Sequence, residues 1–265
     1  MPLARASELD RLFSCIGSTY LPQSRDVAGL AAQWGTKVHS WVETGLLPED
    51  RDGELLGRKI DKSGTSRRKL WPEEGDHELA MAYDVLSGTV ATCVVPPGKD
   101  KRDYQNEWKS AFDDRWIVGT LDFAMELLGR PWVDDLKTGR SVDWRQYAGQ
   151  QSMYCLMYTG HKYGEIRDCR STLTHWPKYP IANPPRRIGS DLSVDYLQGF
   201  KHKLVQLRDD ILGARSRSGS GGVEAQEVNK VLSYGAHCRF CPSRAACPKF
   251  GQEQARGMDN DYEGA

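Results

Sequence analysis

A chain of 265 residues is long enough for one domain with a substantial core or for two small ones. Its 36 lysines and arginines are cancelled by 36 aspartates and glutamates, so any phosphate-binding surface must be a local groove and not a whole basic face. No stretch has the apolar length of a membrane span, and the opening MPLARASELDRLF lacks an apolar core followed by a small-residue cleavage site, so a soluble cytoplasmic protein is expected.

In chain order, Ser7 is placed to cap a short helix carrying Leu9, Leu12 and Phe13, which ends near Cys15. Between Asp26 and Thr44, Val27, Leu30, Ala31, Trp34, Val38, Trp41 and Val42 recur every three or four residues, the pattern of a helix packed on one face. His39 lies off that stripe. Residues 45–70 are polar and glycine-rich and read as a surface loop ending in Arg67-Arg68-Lys69. A helix is expected over Glu73–Leu86, a strand over Thr89–Val95, a turn over Pro96–Arg102 and a further strand over Tyr104–Phe112.

Trp116–Phe123 and Trp132–Lys137 are apolar runs rich in β-branched and aromatic residues, separated by a Gly129-Arg130-Pro131 break; they predict a β-hairpin. Asp143 is a good N-cap for a helix reaching about Tyr158. A strand over Glu165–Trp176 and a proline-rich loop with Arg186 and Arg187 come next. Leu192, Tyr196, Phe200, Leu204, Leu207 and Ile211 mark a long amphipathic helix, and Ser216–Gly222 is a flexible linker. Gly257–Ala265 is a polar tail. Strands framed by helices give an α/β or α+β domain.

The chemistry concentrates in the hairpin. An Asp-x-Lys pair is most often a solvated ion pair on a strand surface. Here Asp135 and Lys137 share one face of an otherwise apolar strand, Thr138-Gly139 follows, and Gly119-x-x-Asp122 precedes them on the neighbouring strand. Two carboxylates beside an ammonium suit a divalent metal and the water it activates, and hard oxygen ligands favour Mg²⁺ or Mn²⁺. Asp134 points to the other face and is not expected to be a ligand, so Asp134→Asn should retain activity that Asp135→Asn loses. Gln150 and Tyr154, four apart on one helical face, can reach the same place.

A second constellation is Cys238, Cys241 and Cys247, spaced C-x2-C-x5-C and followed by Pro248. Such crowding in an intracellular chain indicates metal before disulfide, with zinc as the first reading. The fourth ligand must come from elsewhere: Cys15, Cys93, Cys155, Cys169 and His237 are the candidates.

Gly119-Thr120-Leu121-Asp122, then Val133-Asp134-Asp135-Leu136-Lys137-Thr138-Gly139, then Gln150-x-x-x-Tyr154 together resemble the PD-(D/E)XK nuclease superfamily, specifically its RecB-like exonuclease branch. Gly35-x-x-x-His39 resembles the element upstream of the carboxylates in that branch. The resemblance implies a restriction-endonuclease-like α/β core, a central mixed sheet flanked by helices. It also implies Mg²⁺ or Mn²⁺ held by His39, Asp122 and Asp135, with Lys137, Gln150 and Tyr154 completing the catalytic set. The implied reaction is phosphodiester hydrolysis of DNA, as single strands or strand ends, in recombination, repair or replication, with RNA left open.

Ser7–Tyr20 resembles the leading segment of nucleases of the CRISPR-adaptation and AddB type, although Ile16 stands where a proline often follows the first cysteine. In those relatives one early cysteine and a C-x2-C-x5-C trio hold a 4Fe–4S cluster. That implies Cys15, Cys238, Cys241 and Cys247 as ligands, with residues 1–222 forming the nuclease core and a cysteine-rich segment, 223–265, closing the same domain. Small stand-alone members are frequent in bacteriophages. The rival readings are a non-catalytic nucleic-acid binder that kept the fold, and an RNA-directed nuclease with structural zinc. The basic stretches Arg67-Arg68-Lys69, Lys99-Lys101-Arg102, Lys178-Tyr179 and Arg186-Arg187 are candidates to line a groove for a single strand.

Overall fold

The computed structural model describes residues 1–16, 30–217, 238, 241, 243 and 246–249. The chain divides into two compact units, Met1–Ser7 with Ala28–His202, and Glu8–Val27 with Lys203–Ala265. The expected linker, apart from Ser216 and Arg217, and the expected tail Gly257–Ala265 lie outside the described residues.

The first unit is organised on one mixed sheet. Its strands are β1 (Ala4–Arg5), β2 (Asp76–Asp84), β3 (Val90–Thr92), β4 (Trp116–Leu127), β5 (Arg130–Lys137), β6 (Cys169–His175) and β7 (Arg186–Leu192). They run in the order β3-β2-β4-β5-β6-β7, with β1 also paired to β4. The β5–β6 and β1–β4 pairs are parallel and the rest antiparallel. The helices are α1 (Leu9–Ser14), α2 (Leu30–Thr44), α3 (Arg51–Ser63), α4 (Arg67–Leu70), α5 (Lys101–Ser110), α6 (Ala148–Tyr163) and α7 (Val194–Arg217). The α1 helix and residues of α7 from 203 belong to the second unit, where Leu9, Leu12, Leu204, Leu207 and Ile211 are buried.

Several expected elements change type. The helix expected over Glu73–Leu86 is β2. Its residues Ala80–Asp84 are buried in unbroken succession between β3 and β4. A strand covered on both faces shows no alternation, and its Glu, Leu, Ala and Met content imitates a helix. The strand expected over Tyr104–Phe112 is α5, started by the Asp100 carboxylate accepting from Asp103 N. Tyr104, Trp108 and Phe112 recur at four-residue spacing, so their aromatic composition concealed a helical period. The expected loop 45–70 contains α3, capped by Asp50 at one end and closed by Gly64 in the left-handed region (φ 60°) at the other, and then the short α4. Arg186 and Arg187, expected in a loop, open the edge strand β7. The hairpin break shrinks to Leu128 and Gly129, both at positive φ, and Arg130 and Pro131 join β5 opposite Leu127 and Glu126. Ser7 falls in a 3₁₀ turn, so Glu8 and not Ser7 is the residue before α1.

Alternation along β5 separates the two faces of the sheet. Trp132, Asp134 and Leu136 face an aromatic core with Trp34, Val38, Trp41 and Val42 of α2, Leu55 and Leu56 of α3, and Trp71. Trp71 stacks on Phe123 with ring centroids 5.6 Å apart, and Phe123 meets Trp132 edge-on at 5.3 Å. Asp135 and Lys137 face α6, whose residues Gly149–Thr159 are all buried. Lys59 of α3 is fully buried and donates to the carbonyls of Pro180 and Asn183, which ties the proline-rich loop to that helix.

Pairing along β4 leaves one gap. β2 runs along one edge of β4 from Trp116 to Ala124. The other edge is shared: β5 takes Phe123–Leu127 and β1 takes Ile117 and Val118. Residues 119–122 therefore have no ladder partner on that side among the described residues, and the gap is where the functional side chains gather.

Candidate metal and catalytic site

Asp122 sits at the point where β4 and β5 part. Its carboxylate accepts from Leu136 N at 2.8 Å, replacing the lost ladder bond and reaching across the gap. Glu78 lies at the same level of β2, between the bridged pairs His77–Phe123 and Leu79–Leu121, and has φ 49°. A non-glycine residue in the left-handed region costs about 1–3 kcal/mol and persists where the surroundings impose it. From α2, His39 brings Nδ1 to 3.7 Å from both Glu78 Oε1 and Asp122 Oδ2, and its Nε2 lies 3.2 Å from the Leu136 carbonyl oxygen. Ligand atoms of His39, Glu78 and Asp122 all lie within 4.8 Å of one another. Gly35, one turn before His39, lets α2 approach the end of β5: an added Cβ would stand 2.8 Å from Thr138 Oγ1.

Beside this trio, Asp135 Oδ2 is paired with Lys137 Nζ at 2.6 Å, yet receives no directed hydrogen bond although it is buried. Gln150 of α6 donates to Asp135 Oδ1 (3.2 Å) and to the Tyr154 hydroxyl (3.1 Å), while its carbonyl accepts from Lys137 Nζ at 3.4 Å. Lys137 Nζ also stands 4.5 Å from the centre of the Tyr147 ring. Tyr154 packs on Gly119, where an added Cβ would meet its ring at 2.9 Å. All seven side chains, His39, Glu78, Asp122, Asp135, Lys137, Gln150 and Tyr154, thus meet at the gap.

The electrostatics are those of an anionic site short of positive charge. Burial pushes the Asp122 carboxyl up to about 6, with Glu78 adding to the effect and His39 and Lys137 opposing it. Burial likewise raises Asp135 to about 6 against the pull of Lys137. For His39, burial disfavours the cation, but Asp122, Glu78 and Asp135 outweigh it and raise the imidazole to about 9. Lys137 is also raised, its burial being overcome by Asp135 and Asp122. Burial lifts the Tyr154 phenol well above its usual value, so it remains an O–H donor. Three carboxylates and an imidazole fit a hard divalent cation, whose charge would replace the protons these groups otherwise retain.

Sequence reasoning brought six of these residues together and missed Glu78, because the β2 segment reads as a helix. Had β2 been paired with β4, Glu78 would have fallen opposite Asp122. The basic stretches are largely occupied by structural partners. Arg67 donates to the Val42 and Glu43 carbonyls at the end of α2, Arg68 pairs with Glu73, Lys178 with Asp52, and Arg187 with Asp134.

Cys15 closes α1 and is buried, as is Cys238; Cys241 N donates to the Cys238 carbonyl, and Cys241 and Cys247 are partly exposed. All four belong to the second unit, and none of the seven cysteines is in a disulfide. Cys93, Cys155 and Cys169 are buried in the first unit, in keeping with core roles.

Residues 16–248 match the family pattern of the PD-(D/E)XK nuclease superfamily. The chain belongs to that superfamily. The superfamily's name spells an acidic residue followed by Asp or Glu, any residue, and Lys; Asp122 and Asp135-Leu136-Lys137 read in that order, with Leu121 in place of the proline. The PD-(D/E)XK fold implies a nucleic-acid substrate. No curated protein matches the chain. Among solved structures, a Eubacterium rectale protein named "Putative exonuclease" is 13% identical over 90% of this chain and 87% of its own, with a TM-score of 0.46. The protein SSO0001 is 14% identical over 93% and 86%, with a TM-score of 0.36. No helix among the described residues is long and apolar enough to cross a membrane.

Proposed function

We propose that this PD-(D/E)XK protein is a Mg²⁺- or Mn²⁺-dependent exonuclease acting on DNA single strands or strand ends, in recombination, repair or replication. The reading rests on one observation: His39, Glu78, Asp122, Asp135 and Lys137 converge on the gap along β4. His39, Glu78, Asp122 and Asp135 would hold the metal, which would neutralise charge on the phosphate and make water nucleophilic at neutral pH. Lys137 stays protonated, its ammonium held by Asp135 and Gln150, and offers a fixed positive charge to the negative charge that develops on the phosphorus oxygens. Gln150 bridges Asp135 and Tyr154 and fixes the carboxylate that anchors the lysine.

Digestion of 5′- and 3′-labelled single- and double-stranded DNA and RNA, with Mg²⁺, Mn²⁺ or EDTA, tests this. Release of nucleotides from DNA ends only with metal is expected; no hydrolysis of any strand with either metal would sink the reading.

In the second unit, we propose that Cys15, Cys238, Cys241 and Cys247 hold a 4Fe–4S cluster. Four thiolates are the donor set such a cluster takes, and the four residues fall in the same unit. Protein purified without air is expected to be brown and to contain iron and acid-labile sulfide in equal amounts. A colourless protein carrying one zinc overturns the cluster.

A further inference from the structure

The α5 helix approaches the acidic site along one stripe. Lys101, Gln105 and Lys109 are four residues apart and so share a face. Lys101 Nζ reaches Glu43 Oε1 at 2.6 Å, Gln105 donates to the Glu78 carbonyl at 2.9 Å, and Lys109 Nζ donates to Thr120 Oγ1 at 3.0 Å. Each partner is a neighbour of the acidic cluster. Glu43 is one turn beyond His39 on α2, Glu78 is a member, and Thr120 is two residues before Asp122 on β4. The helix therefore runs alongside the gap.

Lys101 is ion-paired with Glu43, whereas Lys109 has no ion pair among the described residues. Lys109 is partly buried, its hydrogen-bond partner is a neutral hydroxyl, and no carboxylate among the described residues lies within ion-pair distance of it. Burial, with the charge of Arg5 and to a lesser degree that of Arg102, weakens its hold on its proton, and the more distant Glu78 only partly offsets them. Arg102 is seven residues before Lys109 on the same side of α5, and Arg5 lies on β1 beside Val118, just before Thr120. Gathering two further cations around a partly buried ammonium is unfavourable for folding alone. It becomes favourable once an anion is added. A strand entering the site also needs that countercharge, since Glu78, Asp122 and Asp135 would otherwise repel its phosphates.

We infer that α5 and the edge of β1 form a phosphate-binding groove beside the acidic site, in which Lys109 contacts the strand phosphate next to the scissile one. This rests on the substrate being a phosphodiester strand, as proposed above.

The test is fluorescence anisotropy of a fluorescein-labelled single-stranded thymidine oligonucleotide, with Ca²⁺ as the divalent ion, over a range of salt concentrations. Removing one phosphate contact from a single strand should make the slope of log affinity against log salt shallower by about 0.7, which is about fivefold in affinity at 0.1 M salt. Lys109→Met is expected to show both changes and Lys109→Arg neither. Should Lys109→Met melt lower than wild type, Lys109→Gln, which keeps a donor for Thr120, must show the same shallower slope. A Lys109→Met slope equal to wild type, in a protein that still binds and digests the strand, overturns the groove alone. A wild type that neither binds nor digests any strand overturns both the groove and the nuclease reading.

Discussion

Replacing Asp134 by alanine is expected to cost about 1–3 kcal/mol of stability for each buried donor that it leaves without a partner. Asp134 is fully buried on the aromatic face of β5. Its Oδ2 accepts from Trp71 Nε1 at 2.8 Å and Thr174 Oγ1 at 2.5 Å, and its Oδ1 accepts from Thr172 Oγ1 at 2.7 Å. Arg187 Nε lies 3.3 Å from Oδ2 and ties in the edge strand β7. Alanine would leave the indole N–H without its partner inside an apolar cluster, force both hydroxyls to find others, and take the countercharge from Arg187, which keeps the Leu70 carbonyl and the Trp132 ring. Asparagine keeps the shape and one good acceptor, so it should cost less. Urea unfolding at pH 7 measures the difference directly; an alanine variant within 1 kcal/mol of wild type would show that the network contributes little. The sequence placed Asp134 on the face away from Asp135. The structure adds that this face is no solvated surface but the junction of β5, β6, β7 and the segment after α4.

The parts of the site legible in the sequence are those set by local periodicity. Asp135 and Lys137 share a face because strand side chains alternate, and Gln150 and Tyr154 share one because helical positions four apart do. The rest depended on contacts distant in the chain. Glu78 faces Asp122 only once β2 is recognised as the antiparallel neighbour of β4, and β2 is a central strand whose doubly buried run carries no alternation. Asp122 reaches Leu136 N only because β5 leaves β4 at Phe123, which no pattern within either strand reveals. In the case of α3 the signals were present, an Asp50 cap and a Gly64 terminus around Leu55, Leu56 and Ile60, but Gly53 and Gly57 gave the segment the composition of a loop. Gly53 is required there: an added Cβ would fall 1.8 Å from the Pro48 carbonyl oxygen. An edge position explains β7, where one side of the strand is unpaired and arginines and serine are ordinary.

Asp135→Asn is expected to give the opposite outcome to Asp134→Ala: a protein as stable as wild type or more so, and inactive. In the metal-free protein, burial raises the Asp135 carboxyl to about 6 from its ordinary 3.8, so the folded state retains a proton that the unfolded chain loses in that interval. The associated stability is fully present below about pH 4 and is lost as pH rises through 6. At pH 7 the folded protein therefore bears the cost of ionising a buried carboxylate, about 2–3 kcal/mol for a shift of this size. Asparagine removes that cost and the corresponding slope, so metal-free melting curves of the variant should vary less between pH 4 and 6. Activity should fall for a separate reason. Without the carboxylate, Lys137 loses its 2.6 Å anchor and the site loses a ligand for the proposed metal. Lys137→Ala removes the ammonium itself, and eliminating one preorganised charge that acts on the transition state costs about 10²–10³ in kcat. The pair of variants separates catalysis from folding: in EDTA Asp135→Asn should melt at or above the wild-type temperature and Lys137→Ala, which leaves the buried Asp135 carboxylate without its cation, below it, yet both should degrade end-labelled DNA at least 100-fold more slowly. Wild-type rates from Lys137→Ala would remove the lysine from the chemistry and leave the Asp135–Lys137 pair as a structural contact. It would leave hydrolysis to the proposed metal and its carboxylates, because a protein that only bound the strand would not degrade it and gains nothing from two buried carboxylates and a half-buried third facing an anionic strand.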